Sequence, residues 1–147
     1  MRLYFDSSAV AAMFLAEPAS VAVRAYVIAQ RTVVWMNRWQ ECEARHAIRQ
    51  KVVRREIPEG IAVGALRRLD DDILLRHIRV LPVEWPAAFE QVEQLSRRFG
   101  CTQPVRAFDL LHIAVAVMSG AGRFVTLDAM QSEAAKTAGL EVDLLRP

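Results

Sequence analysis

The sequence predicts an α/β protein built on a parallel sheet with helices on both faces. Short apolar runs typical of strands alternate with helical patterns along the whole chain, as in βαβ units. The five strand-like runs lie at residues 2–6, 32–36, 78–83, 123–128 and 141–145. The chain has 147 residues, of which 53% are hydrophobic, so it is long enough to bury a core of its own.

Each gap between these runs carries residues that favour the start or the end of a helix. Polar caps and prolines are common at the first turn, and glycine is common just after the last one. The expected starts are a cap at Ser7 or Ser8, Pro18, a cap at Asn37, Pro58 and Pro104, and the expected stops are Gly100, Gly120 and Gly139. No repeat or linker interrupts the series, so we expect residues 1–147 to form a single domain.

Composition and charge indicate which classes of protein the chain can belong to. The formal net charge is only +2, and Lys51 and Lys136 are the only lysines, so arginine supplies most of the positive charge. Arginine binds phosphate bidentately, although such a bias can also reflect genome base composition. The longest apolar run, residues 110–118, is far shorter than the roughly 20 residues of a membrane span. Cys42 and Cys101 are expected to be free thiols, and with no leader-like segment we expect a cytoplasmic protein that does not bind membranes.

Two of the strand-like runs end on an aspartate. Residues 3–5 run into Asp6, and residues 124–127 run into Asp128. In an open parallel sheet ligands bind beyond the carboxyl ends of the strands, so both carboxylates are expected in one crevice. Each could instead cap the helix that follows, because aspartate accepts hydrogen bonds from free backbone N–H groups. Two acids at equivalent positions favour the crevice.

A third acid lies in the segment VRAFDLLHIAVAVM, which is apolar on nearly every face and is therefore predicted to be an interior helix. Asp109 falls in its first turns, where the helix dipole favours a carboxylate. The same position would also let Asp109 simply stabilise its own helix. His112, one turn further on, is interpreted as a core histidine with satisfied hydrogen bonds rather than as a ligand.

The long basic helix after residue 37 offers two neighbouring glutamates, which helical phase separates. At about 100° per residue, Glu43 lies near Trp39 on the more apolar side. Glu41 lies with Arg45, so we interpret it as half of a solvent-exposed i,i+4 ion pair. Glu43 is therefore predicted to be the inward carboxylate.

Four carboxylates in one crevice at neutral pH require either cations or raised pKa values. Two unit charges about 4 Å apart repel by roughly 4 kcal/mol at an effective dielectric of about 20. Oxygen ligands without a Cys/His cluster favour Mg²⁺ or Mn²⁺ over zinc, and such ions support phosphodiester hydrolysis. The predicted metal ligands and catalytic residues are Asp6, Glu43, Asp109 and Asp128.

Around these acids the sequence resembles the PIN-domain family, specifically the VapC-type ribonuclease toxins of bacterial toxin–antitoxin pairs. The family's first strand, acid and helix are similar to LYFDSSAVAAMFLAEPAS, with the acid at Asp6. Its second acid matches Glu43 in ECEARHAIRQ. Its third acid, its T-x-D motif and its closing A-x-x-x-G-L-x-V match RAFDLLHIAVAVMSGAGRFVTLDAMQSEAAKTAGLEV, at Asp109 and Asp128. The resemblance spans essentially the whole chain.

This resemblance implies a three-layer α/β/α sandwich with a five-stranded parallel sheet and an acidic Mg²⁺ or Mn²⁺ site that cuts single-stranded or structured RNA. It also implies that Ser8 and Thr126 support metal-bound water or phosphate. A cognate antitoxin and a homodimer are further expectations, with contacts on the helices of residues 17–76. Because no strongly basic groove is visible, RNA specificity is expected to depend on a few arginines such as Arg106 or on RNA shape.

Three other classes of protein fit the sequence less well. A phosphatase of the haloacid-dehalogenase type needs a second aspartate two residues after the first, where this chain has Ser8. A nucleotide-binding module is disfavoured because the glycines of residues 120–122 precede a strand-like run instead of opening a helix. A catalytically silent PIN scaffold that binds RNA or protein is the main alternative. All four acids argue against it, and metal-dependent cleavage would decide.

Overall fold

The computed structural model, which describes residues 2–146, alternates strands and helices along the chain. The strands are β1 (Leu3–Phe5), β2 (Val34–Asn37), β3 (Ile78–Leu81), β4 (Arg123–Thr126) and β5 (Val142–Leu144). The helices are α1 (Ser7–Phe14), α2 (Pro18–Gln30), α3 (Arg38–Val53), α4 (Glu59–Leu74), α5 (Trp85–Phe99), α6 (Ala107–Met118) and α7 (Ala129–Thr137). All five predicted strands are present, with bounds within two residues of those expected.

The strands form one parallel sheet in the order β3-β2-β1-β4-β5. Successive side chains of a strand point to opposite faces of the sheet. On central strand β1, Leu3 and Phe5 therefore pack in the core with α1, α3 and α4, whereas Tyr4 packs with α5, α6 and α7. Two helical layers thus enclose the sheet, which confirms the predicted α/β fold with a five-stranded parallel sheet.

Several helix ends lie where the sequence predicts them. Helix α2 begins at Pro18, and the Asn37 side chain caps α3 by accepting a hydrogen bond from the Gln40 N–H at 2.9 Å. Pro58 is the residue immediately before α4, where its missing N–H costs nothing. The predicted stops Gly100, Gly120 and Gly139 all lie within two residues of a helix end.

Two predicted helix starts are wrong. The cap of α1 is Asp6 and not Ser7 or Ser8, because the Asp6 carboxylate reaches the backbone N–H three residues on and both serines are already inside the helix. Helix α6 begins at Ala107 and not at Pro104. Its start is set by a backbone N–H that an acid of its own first turn accepts, so the proline remains in the preceding loop.

Two further expectations concern membranes and thiols. No single helix within residues 2–146 has both the length and the apolar character needed to cross a membrane; α1 and α2 taken together would have them, but they are bent by 97°. Cys42 and Cys101 are free and exposed, as predicted.

Candidate active site

A cavity of about 480 Å³ lies beyond the carboxyl ends of β1 and β4. Its walls come from the segments that follow these two strands and from helices α1, α3, α6 and α7. The residues that line it are Asp6, Ser7, Ser8, Glu43, Arg106, Asp109, His112, Leu127, Asp128 and Gln131. All four predicted acids therefore share one cavity, as the strand-end argument requires.

Asp6 both caps a helix and lines the cavity, so the two interpretations of this residue are compatible. It is 3% exposed. Its Oδ1 accepts the Ala9 N–H at 2.8 Å, its Oδ2 accepts the Thr126 hydroxyl at 2.6 Å, and Ser8 Oγ lies 2.9 Å from both oxygens. Burial raises the pKa of Asp6, and these hydrogen bonds offset only part of that effect. Ser8 and Thr126 thus hold Asp6 from two sides.

Asp128 and Asp109 each use one carboxylate oxygen to fix the start of a helix. Asp128 Oδ1 accepts the N–H groups of Met130 and Gln131 at 2.7 and 3.1 Å, and so caps α7. Asp109 Oδ2 accepts the Arg106 N–H at 3.3 Å, and the Arg106 guanidinium lies 3.6 Å from the same oxygen. Within residues 2–146, these hydrogen bonds leave the second oxygen of each acid unused.

Glu43 faces the cavity, as its helical phase predicts. Its Oε2 accepts hydrogen bonds from His112 Nε2 and from Ser7 Oγ, each at 2.5 Å. Burial works to raise the pKa of Glu43, but the hydrogen bonds from His112 and Ser7 outweigh it and lower the pKa. Glu43 is therefore held ionised among groups that favour its negative charge.

Glu41 is turned away from the cavity, but the prediction of a solvent-exposed ion pair is wrong. It pairs with Arg45 at 2.9 Å, as predicted, and also with Arg38 at 2.7 Å. It is nevertheless only 7% exposed. Helices α3 and α4 pack together on this side, where Arg45 bridges Glu41 and Asp70 of α4. Helical phase within one helix does not reveal this second helix.

The family model for the PIN domain matches residues 3–137, a span that contains all four acids. The chain belongs to the PIN domain family. No curated protein shows significant similarity to it. PIN domains are generally nucleases that use Mg²⁺ or Mn²⁺, so family and fold assign this chain to the nuclease class at that coarse level.

The sequence interpretation missed the part that His112 plays beside Glu43 in this PIN domain. The Asn37 Oδ1 caps α3, so its Nδ2 must donate, and it does so to Tyr4 Oη at 3.2 Å. The Tyr4 hydroxyl then donates its own proton to His112 Nδ1 at 3.0 Å. His112 therefore carries its proton on Nε2 and donates it to Glu43. The signal in the sequence was the i,i+3 spacing that places His112 on the Asp109 side of α6.

We expect Tyr4→Phe to lower kcat for nucleic-acid cleavage by roughly tenfold, with little change in KM, as for loss of an outer partner of a predicted metal ligand. Without the Tyr4 hydroxyl, His112 Nδ1 loses the hydrogen bond that helps to orient the ring, so the donor to Glu43 is held less firmly. The control is Tyr26→Phe, which removes a hydroxyl hydrogen-bonded to Asp143, outside the cavity lining. Equal losses in both variants would contradict the assigned proton direction.

The oxygen atoms that line the cavity of this PIN domain are of the kind that a hard divalent cation binds. The cavity offers four carboxylates and two serine hydroxyls and contains no cysteine. Within residues 2–146, however, no three His, Cys, Asp or Glu side chains converge closely enough to hold an ion. Hydrogen bonds tie each acid to its own part of the wall, and these acids are the groups that would hold the metal.

Proposed function

We propose that this PIN domain is a Mg²⁺- or Mn²⁺-dependent endoribonuclease that acts as the toxin of a toxin–antitoxin pair. The observation that carries the proposal is the meeting of Asp6, Glu43, Asp109 and Asp128 in one cavity. They come from four separate segments of the chain and face the same space. Carboxylate oxygens are the ligands that Mg²⁺ and Mn²⁺ prefer, and such cations support hydrolysis of a phosphodiester.

The residues of the cavity would have three roles, which are metal binding, positioning of a metal ligand and substrate binding. When bound, Mg²⁺ or Mn²⁺ supplies activation of water and neutralisation of charge on the phosphate. Asp6, Glu43, Asp109 and Asp128 would hold the cation, and Ser8 and Thr126 would keep the Asp6 carboxylate in place through the hydrogen bonds they donate. Arg106, which is exposed at the rim beside Asp109, would bind a substrate phosphate.

The toxin role rests on the resemblance of the motifs to VapC-type toxins. Such a toxin would act in the cytoplasm as a homodimer and would be neutralised by a cognate antitoxin protein. Exposed apolar side chains on α2 and at the end of α4 support contacts with other chains in the region of residues 17–76. These side chains are Val21, Ile28, Leu74 and Leu75.

Cleavage of RNA tests the proposal directly. We expect purified protein to cut an end-labelled RNA in Mg²⁺ or Mn²⁺, and EDTA to stop the reaction. The control is Asp109→Asn, because an asparagine still accepts the backbone N–H at the start of α6 but lacks the charge a cation needs. Equal cleavage by this variant would identify the activity as a contaminant. RNA binding without cleavage under all conditions would favour the silent scaffold.

A further inference from the structure

An aromatic pair stands exposed beside the acidic cavity. Phe108 is 60% exposed, although most of α6 after it is buried. Its ring lies against that of Trp39, with centroids 5.1 Å apart and planes inclined by 34°. The Trp39 Nε1–H is buried and has no hydrogen-bond partner within residues 2–146. The contact that the indole makes with Phe108 is therefore through its ring. A rigid aromatic surface is thus presented to solvent at the start of α6.

The Trp39–Phe108 pair joins the two helices that carry Glu43 and Asp109. Trp39 precedes Glu43 by four residues on α3, and residues at this spacing share a helix face. Phe108 immediately precedes Asp109, and both Glu43 and Asp109 line the cavity. Arg106, 80% exposed at the side chain, lies two residues before Phe108 and also lines the cavity. Neither ring lines the cavity itself, but each belongs to a helix that does, within four residues of a lining acid, and Arg106 lies two residues before Phe108.

We propose that the Trp39–Phe108 pair stacks an unpaired base of the substrate next to the phosphate that is cut, with Arg106 contacting the backbone. This proposal rests on the nuclease function proposed above and names the residues that would hold an unpaired base of its substrate. Aromatic rings bind splayed bases by stacking, which tolerates any base identity because each base has a π-face. Bases inside a duplex are already stacked on their neighbours and are not free to occupy the ring.

A second exposed pair on the same protein provides a matched control. Phe89 is 59% exposed and lies beside Trp85, with centroids 6.5 Å apart and planes inclined by 35°. Both rings belong to α5, which contributes no residue to the lining of the acidic cavity, whereas α3 and α6, which carry Trp39 and Phe108, each contribute lining residues. The Trp85–Phe89 pair thus resembles the Trp39–Phe108 pair in exposure and ring contact. It differs in having none of the predicted acids and no Arg106 near it in the chain.

Binding of a short single-stranded RNA tests the proposal. The RNA carries 2-aminopurine beside the cleavage position, and the Asp6→Asn background prevents cleavage during the measurement. Phe108→Ala is expected to weaken binding by roughly 5- to 100-fold and to relieve the quenching of 2-aminopurine by stacking. Phe108→Tyr should restore both signals, and Phe89→Ala should alter neither. When the RNA carries an abasic nucleotide at that position, Phe108→Ala should no longer change the RNA affinity.

The outcomes separate this proposal from the nuclease function. If the wild type cuts RNA while Phe108→Ala binds and cuts as well as it does, the stacking surface is refuted and the nuclease function stands. If the wild type neither binds nor cuts RNA, the nuclease function itself fails. Loss of self-association in Phe108→Ala without loss of RNA affinity would overturn the proposal by assigning the ring to a protein contact. Phe108→Leu, which keeps an apolar side chain but no ring, should behave as Phe108→Ala does.

Discussion

Glu43→Gln is expected to abolish RNA cleavage, with a loss greater than the roughly 100-fold that removal of an outer partner of a metal ligand can cost. The amide keeps the shape of the side chain but loses the charge that a hard cation needs. Its amide oxygen can take the place of Oε2 and accept from His112 Nε2 and Ser7 Oγ, so the NH₂ group replaces the other carboxylate oxygen and cannot bind a cation. Initial rates of RNA cleavage at saturating Mg²⁺ measure the effect.

The matched control is Glu41→Gln, two residues earlier on the same helix. Glu41 is buried between Arg38 and Arg45 and does not line the cavity. We expect this change to lower the free energy of unfolding by about 1–3 kcal/mol, the range for lost hydrogen bonds to charged groups, and to leave kcat unchanged. Urea denaturation gives the stability and initial rates give kcat. Loss of cleavage in Glu41→Gln but not in Glu43→Gln would place the second acid of the site at Glu41.

Asp6→Asn is expected to remove cleavage while making the metal-free protein more stable. An asparagine keeps the hydrogen bonds of this position: its Oδ1 still accepts the Ala9 N–H, and its Nδ2 can donate to Thr126 Oγ1. The Thr126 hydroxyl then turns its proton to Gln131 Oε1, which lies 3.1 Å away. What the substitution removes is a negative charge in a buried place, and with it a predicted ligand of the cation.

The gain in stability should depend on pH in a definite direction. Burial raises the pKa of Asp6, so ionisation of this group costs more in the folded protein than in the unfolded chain. The cost is absent below the unfolded pKa of about 3.9 and fully present above the raised folded pKa. The advantage of Asp6→Asn over the wild type should therefore be near zero at about pH 4 and grow as pH rises.

Thermal unfolding with and without Mn²⁺ measures both effects of Asp6→Asn. Selective binding to the folded state should raise the Tm of the wild type, whereas the variant should show little or none of this shift. If Asp6→Asn instead lowers the metal-free Tm at neutral pH, then Asp6 acts chiefly as the cap of α1 and contributes to folding through its charge. Its place among the metal ligands would then be withdrawn.

The outline of this protein could be predicted from short-range patterns. Strand and helix periods depend on which residues are apolar, so five strands and the interior helix α6 were visible in the chain. The position of Asp6 and Asp128 after strands was equally local, and parallel topology alone brings such residues to one edge. Glu43 was assigned by phase on its own helix, and it does face the cavity.

The two wrong helix starts depend on caps only three residues away, but the other error and the omissions concern contacts between segments distant in the chain. Glu41 is buried by α4, whose approach no pattern within α3 announces. The proton on His112 is directed by Tyr4 of β1 and Asn37 at the end of β2, three segments that meet only in the folded sheet. The pairing of Phe108 with Trp39 likewise joins α6 to α3.

The amino-acid sequence by itself determined the α/β class, the strand positions, the family and the four acids, because these follow from local hydrophobic pattern and residue type. Only the tertiary structure decided how each acid is held. Hydrogen bonds from Thr126 and Ser8 to Asp6, and from His112 to Glu43, depend on distances of a few ångströms between remote residues. Burial, which raises the pKa of Asp6, is likewise a property of the packed layers and not of any one segment.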